Sequence, residues 1–185
     1  IIQKEFNNHI ESAKLTLDNI SGDIENAAKM CIECLNNGGK IVLFGNGGSA
    51  ADAQHIAAEL VGRYKNERKA LSAIALTTDT SALTCIGNDY GYDLIFERQV
   101  EALANLNDLI IGISTGGTSP NAINGITAAN KIGCQTIGFS GKDGGEFNKI
   151  CNLNIIVPAM ETARIQEMHI LIGHIICQLI DLEFT

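Results

Sequence analysis

The chain is short of positive charge: 13 lysines and arginines against 21 aspartates and glutamates in 185 residues give a formal net charge of −8. A sequence-independent hold on nucleic acid depends on cations that neutralise phosphates, so that class of function is excluded. Any phosphate bound here is held locally, by backbone amides and hydroxyls. Also missing is an unbroken apolar run of the ~20 residues that a bilayer demands. The most apolar stretch, Ile170 to Ile180, is interrupted by His174 and Gln178 and reads as a buried helix, so no membrane partner is expected. No signal peptide is visible in a sequence that opens at Ile1, and there is no internal repeat or low-complexity segment. The six cysteines, at 31, 34, 85, 134, 151 and 177, lie mostly within apolar patterns, which points to reduced thiols and a cytoplasmic setting. Cys31 and Cys34 have C-x-x-C spacing but sit mid-helix with no second pair nearby, so core packing fits better than redox or zinc chemistry. At 45% hydrophobic and 18% charged, the remaining expectation is one well-buried domain over 1–185.

What is present is organised around residues 40–62. The apolar run Ile41 to Phe44 reads as a strand buried on both faces, and it passes through Gly45-Asn46-Gly47-Gly48-Ser49 into a helical pattern. Ser49 with Asp52 three residues on reads as a capping box that opens the helix. The free N–H groups of that helix start, with glycines that admit close approach, suit a phosphate. His55 and Glu59, at i and i+4, share the helix face that begins beside the anion site. They could be metal ligands, an acid/base pair or both, and the plain alternative is a solvent-facing pair worth a few tenths of a kcal/mol.

Two helices are predicted before that strand. The first carries Ile2, Phe6, Ile10, Ala13, Leu17 and Ile20 at helical spacing, with His9 on its polar side. After Ser21-Gly22-Asp23 a second runs through Ile24, Ala27, Ala28, Cys31, Ile32 and Leu35 to a stop at Asn36-Asn37-Gly38-Gly39. Further strands are expected at Ala73–Leu76, Leu109–Ile113, Gln135–Phe139 and Leu153–Val157, with helices around Asp93–Asn105, Pro120–Ile132 and Glu161–Leu182. Such alternation defines an α/β fold: a doubly wound, flavodoxin-like sheet of five parallel strands with helices on both faces. Ligands of this architecture bind beyond the C-terminal strand ends. Here those ends read Gly45 to Ser49, Thr77 to Ser81, Ser114 to Ser119 and Ser140 to Asp143, all rich in hydroxyls or glycine. Ser119 before Pro120 is an N-cap with proline in the first helical position, so the third loop also opens a helix toward this rim.

The loop also fits the dinucleotide pattern G-x-G-x-x-A, as Gly45-x-Gly47-x-x-Ala50. A ribose-binding acid would then be due ~20 residues on, and the nearest, Asp79, is rather distant. That pattern also leaves the serines and threonine of the third loop unexplained, so a phosphate-ester pocket is the better reading. A second polar cluster, Gln166, His169 and His174, interrupts an otherwise apolar last helix and demands partners.

Taken together, Gly45-Asn-Gly-Gly-Ser, His55-x-x-x-Glu59, Gly87-Asn-Asp89, Ser114-Thr-x-Gly, Gly141-Lys-Asp-Gly-Gly and Arg164-Ile-Gln-Glu-x-His resemble the phosphoheptose isomerases, a family of sugar-isomerase (SIS) domain enzymes, over nearly the whole length. The resemblance implies conversion of sedoheptulose 7-phosphate to D-glycero-D-manno-heptose 7-phosphate, toward the heptose of lipopolysaccharide or related glycans. It implies a cytoplasmic homotetramer with active sites at subunit interfaces, the helices of 1–37 lying in the interface, and one zinc per subunit. By motif position His55, Glu59, Gln166 and His174 correspond to metal ligands, with Glu59 and His174 also the catalytic acid/base residues. Asn46, Gly47, Gly48, Ser49, Glu59, Asn88, Asp89, Ser114, Thr115, Gly116, Ser119 and Gln166 correspond to the sugar-phosphate contacts. Gly116 stands where the family pattern has serine, which removes one hydroxyl. A catalytically silent relative that binds a replication initiator has a similar scaffold but is expected to lack the equivalents of Glu59 and His174, both present here. Finally, Gln166 and His174 are eight positions apart on one helix, ~12 Å along its axis and rotated by about 80°, which predicts that one of the last-helix ligands comes from a neighbouring chain.

Overall fold

In the computed structural model, which describes residues 1–185, helices and strands alternate after a long N-terminal helix. That helix, α1 (Ile2–Asn36), bends at Ile20, whose φ of −127° and ψ of 15° leave helical space. Two helical arms thus precede the first strand, but Ser21-Gly22-Asp23 forms no loop between them. The first arm turns its apolar stripe outward: Phe6, Ile10 and Leu17 are 66%, 61% and 68% exposed, while Ser12 and Thr16 are buried. Thr16 Oγ1 donates to the Ser12 carbonyl at 2.8 Å, which satisfies the hydroxyl without water. The second arm buries Ile24, Ala27, Ala28, Cys31 and Cys34 in the core.

The strands are β1 (Ile41–Gly45), β2 (Ala73–Ala75), β3 (Leu109–Ile113), β4 (Gln135–Gly141) and β5 (Leu153–Val157), all parallel, in the order β2-β1-β3-β4-β5. Both faces are covered, and the two-residue period of a strand sorts its side chains between two cores. Ile41, Leu43, Leu109, Ile111 and Phe139 pack with α1, with α2 (Gly48–Val61) and with the last helix, α7 (Thr162–Phe184). Val42, Phe44 and Ile110 pack with α3 (Thr80–Asp89), α4 (Ile95–Leu103), α5 (Pro120–Ile132) and α6 (Phe147–Ile150) on the other face. Each fully buried Leu, Ile or Phe contributes about 1.5–3 kcal/mol, which is why the strands read as continuous apolar runs.

α3 and α6 are not evident in the sequence pattern, and the turn at Tyr92–Leu94 is 3-10, with α4 starting only at Ile95. α3 offers few apolar residues; its start is fixed by Asp79, whose Oδ1 accepts from the Ala82 amide at 2.9 Å. This capping bond is a structural employment for Asp79, the residue a dinucleotide reading would assign to ribose. α5 begins at Pro120 and ends at Gly133, whose φ of 96° is the left-handed stop that glycine provides. α7 is 23 residues long and apolar enough by length and composition to cross a bilayer, but half of its most apolar window is buried within the domain.

Candidate active site

The strand order reverses between β1 and β3, and a crevice opens there beyond their C-terminal ends. The loop after β1 is shaped by glycine. A Cβ on Gly45 would lie 2.7 Å from the Ile113 carbonyl oxygen, and Gly47, at φ 56°, sits in the left-handed region and occupies the N-cap of α2. The expected capping box is therefore absent. Ser49 lies inside the helix, buried, and caps nothing, because the glycine turn lets the helix begin two residues earlier. Asp52 makes no reciprocal bond; its Oδ2 is buried without a partner, and burial pushes its carboxyl up to about 6 while His55 pulls the other way.

Across the crevice, Ser114 Oγ and Ser119 Oγ are 3.0 Å apart, and the Gly117 amide donates to the Ser114 carbonyl at 2.9 Å. Ser119 is the N-cap of α5, as the Ser-Pro pair predicts, but its hydroxyl turns to Ser114 and makes no cap bond. The loops after β3 and β4 press backbone against backbone: a Cβ on Gly117 would fall 2.1 Å from the Gly144 oxygen, and one on Gly145 2.3 Å from the Gly116 oxygen. A Cβ on Gly116 would meet only the Thr118 Oγ1 hydroxyl, at 3.3 Å, which a small shift of that side chain relieves, so no backbone clash demands its glycine. The amides of Asn46 and Gly47 on one wall, and of Thr115, Gly116, Thr118 and Ser119 on the other, make no hydrogen bond within the chain. Together with the N-termini of α2 and α5 they make a cradle of free donors suited to an anion, the candidate anion site.

α2 then leads to the reactive groups. His55 Nε2 is 3.1 Å from Glu59 Oε1 and 3.2 Å from His174 Nε2 on α7, and the three ligand atoms lie within 4.8 Å of one another. Two facing imidazole nitrogens can share one proton or one cation, and two nitrogens with a carboxylate oxygen form a donor set suited to zinc. Burial, with His55 adding to the effect, lowers the His174 imidazole from its ordinary range, and the Glu59 carboxylate opposes them. Tyr64 stacks on its other face at 5.2 Å between ring centroids.

α2 and α7 run side by side in the same direction: Gly48 faces Gln166, Ile56 faces Gly173 and His55 faces His174. His174 thus meets His55 and Glu59 within one chain, so of the two last-helix ligands it is not the one that a neighbouring chain must supply. The carboxamide of Gln166 lies at the anion end instead, where its Nε2 is 2.8 Å from the Cβ position of Gly48. Asn88 and Asp89, at the exposed end of α3, hydrogen-bond each other at 2.7 Å and none of the other site residues.

Several positioning residues escape sequence reasoning. Arg68 donates to the Glu59 and Leu60 carbonyls at 2.9 Å each and pairs with Asp181 at 2.7 Å, both side chains being fully buried. The guanidinium closes the C-terminal end of α2, one turn of helix around Glu59. An acid at position 181 of an apolar helix was the available signal. A cavity of about 360 Å³ at the opposite, strand-start edge, lined by Glu33, Cys34, Asn37 and Asp108, has no comparable cluster, and its Asp108 is already paired with Lys40 at 2.5 Å.

The fold and the site define a class, the SIS-domain proteins, and the SIS domain model matches residues 5–141. Within that class, the chain is 59% identical over 184 residues to a phosphoheptose isomerase of Aliarcobacter butzleri, covering 100% of this chain and 97% of the relative. It is 56% identical over 181 residues to the Campylobacter jejuni phosphoheptose isomerase, covering 98% and 97%. The solved phosphoheptose isomerase GmhA of Neisseria gonorrhoeae superposes with a TM-score of 0.93 at 43% identity, covering 98% of this chain and 97% of that one. This chain belongs to the phosphoheptose isomerase family.

Proposed function

We propose that the protein is an aldose–ketose isomerase converting sedoheptulose 7-phosphate to D-glycero-D-manno-heptose 7-phosphate, the entry to heptose for lipopolysaccharide or a related surface glycan. One observation carries this: the helix that starts at the anion site brings Glu59 and His55 to His174, so one substrate end can be gripped while the other reacts. Glu59 takes a proton from C1 of the ketose, and its electrons form the C1–C2 double bond of an enediol as His174 delivers a proton to O2. Return of a proton from Glu59 to C2, with loss of the O1 proton to His174, completes the aldose. A zinc ion, one per subunit, would be held by His55, Glu59 and His174 with Gln166, and would supply Lewis-acid polarisation at the sugar oxygens. The phosphate lies between the loops after β1 and β3.

Exposed Leu17 of α1 shares an apolar groove with Leu171 and Ile175 of α7, and exposed Phe6 and Ile10 extend the apolar stripe along α1, which supports a homotetramer built on these helices, working in the cytoplasm. In it Gln166, ~12 Å along α7 from His174, turns from its seat on Gly48 toward a neighbour's His55–Glu59–His174 cluster. Turnover of sedoheptulose 7-phosphate with and without a chelator tests the reading. Glu59→Gln should lower kcat by ~10³-fold with the fold intact, within the range for loss of a general base; wild-type kcat would refute the assignment. Mixed oligomers of Glu59→Gln and Gln166→Ala subunits should regain partial activity. No recovery in verified mixed oligomers would place both residues in one chain's site.

A further inference from the structure

Asn46, in the loop after β1, spends nearly all of its side chain on the protein. Its Oδ1 accepts from Asn121 Nδ2 at 2.9 Å and from Tyr92 Oη at 3.0 Å, and its Nδ2 donates to Asn121 Oδ1 at 2.8 Å. Both carbonyl lone pairs and one of two N–H groups are thereby used, leaving a single donor for any ligand. Asn121 is buried in the first turn of α5, directly after the Ser119-Pro120 start. The reciprocal amide pair is therefore a strut across the crevice, from the β1 wall of the anion site to the β3 wall. Tyr92 comes from a third element, the 3-10 turn reached through Gly91 at φ 94°, and its ring is exposed while its hydroxyl reaches Asn46.

We propose that Asn121 and Tyr92 are positioning residues for phosphate binding: acting through Asn46, they hold the Asn46 and Gly47 amides at a fixed distance from the N-terminus of α5. The inference rests on the isomerase reading for its substrate, but the strut concerns the phosphate alone. An anion site made of backbone donors works only if its two walls are spaced in advance, because reorganisation on binding would be subtracted from affinity. The pair also accounts for the buried amide of Asn121, which would otherwise be a costly polar group in the crevice floor. Tyr92 fixes which way the Asn46 amide faces, since its hydroxyl donates to the carbonyl oxygen.

Tyr92→Phe removes one hydroxyl from an exposed ring and leaves the fold intact. It should raise KM for sedoheptulose 7-phosphate and the Kd for inorganic phosphate, measured by calorimetry, by a common factor of about three to ten, the worth of one neutral hydrogen bond, with kcat within about twofold. Asn121→Ala should give a larger factor of the same kind. In an Asn46→Ala background Tyr92→Phe should have no further effect, because the hydroxyl acts only through that amide. A merely structural role would lower thermal stability and leave both KM and the phosphate Kd in place. Unchanged phosphate affinity in Tyr92→Phe and Asn121→Ala would overturn the strut. Wild-type protein that binds phosphate without turning over the heptulose would refute the isomerase reading instead, and the phosphate Kd of the variants would still decide the strut.

Discussion

His169 makes the protein sensitive to mild acid in a way that one substitution can isolate. Its side chain is fully buried beneath β4; Nε2 donates to the Ser140 carbonyl at 2.9 Å, and Nδ1 has no partner. A proton on Nδ1 would be a buried charge facing no acceptor. Burial accordingly pushes the imidazole from the ordinary 6.5 to about 4, the Ser140 carbonyl opposing only in part. Between those values the unfolded chain binds the proton and the folded one does not, so stability is whole above about pH 6.5 and declines as pH falls toward 4. At ~1.4 kcal/mol per pH unit the loss from this one group approaches about 3 kcal/mol. His169→Gln keeps an amide donor for the Ser140 carbonyl but cannot titrate. Denaturant unfolding of both proteins, followed by circular dichroism at several values from about pH 8 to 4.5, cancels every other titrating group in the difference, Asp52 included. The wild type should lose ~2–3 kcal/mol relative to the variant across that window, with the difference flat above about pH 7. Parallel stability curves would show that His169 titrates alike in both states and refute the argument.

Two further outcomes follow from the site. Ser119→Ala should raise KM several-fold, about what one hydrogen bond is worth, with kcat little changed; a bound sugar phosphate whose phosphate sat at His174 would show the orientation to be reversed. Asp181→Asn should cost roughly 3–5 kcal/mol in unfolding experiments, the usual penalty for a broken buried pair, and loosen the helix end that carries Glu59. Burial alone would raise the Asp181 carboxyl, but the Lys65 and Asn66 amides and Arg68 more than offset it and hold it below the usual range. Its contribution is therefore present at neutral pH and lost as pH falls below about 4; an acid-unfolding midpoint shared by wild type and variant would contradict it.

Strands were the most legible elements because both faces are buried: Ile41 to Phe44 and Leu109 to Ile113 are apolar at every position, or glycine, whatever the register. α5 was legible from its ends, Pro120 and Gly133, which fix backbone angles locally. α3 was not, because its support is tertiary: Ile86 is its one buried residue, with Ala82 and Leu83 only partly covered by the core. The capping box failed for a related reason. Ser49 and Asp52 have the right spacing, but a glycine with positive φ upstream moved the N-cap to Gly47, and spacing carries no information about φ. His55 and Glu59 were legible as a pair through the i, i+4 rule, whereas their meeting with His174 required the parallel packing of α2 on α7. His9 shows the same limit: its pattern reads as plain surface, yet its Nδ1 is 2.8 Å from Glu167 of α7.

That packing gives α7 its unusual composition. The sides of a helix that pack on other elements would be expected to be apolar, yet α7 carries Arg164, Gln166, His169, His174 and Asp181 among its isoleucines and leucines. Their partners are spread over the fold, with α2 met twice. Arg164 binds Glu5 of α1 at 2.7 Å and Glu167 beside it, Gln166 lies on Gly48, His169 holds the end of β4, His174 meets His55, and Asp181 anchors Arg68. Apart from the seat of Ile56 on Gly173, apolar contacts specify the register of α7 on α2 less sharply than directional bonds do. Directional bonds at both ends and in the middle admit only one register, and a slip of one residue would turn His174 about 100° away from His55. The polar residues of the last helix therefore specify the alignment of the reactive groups, and the apolar residues between them supply the stability that makes burying them tolerable.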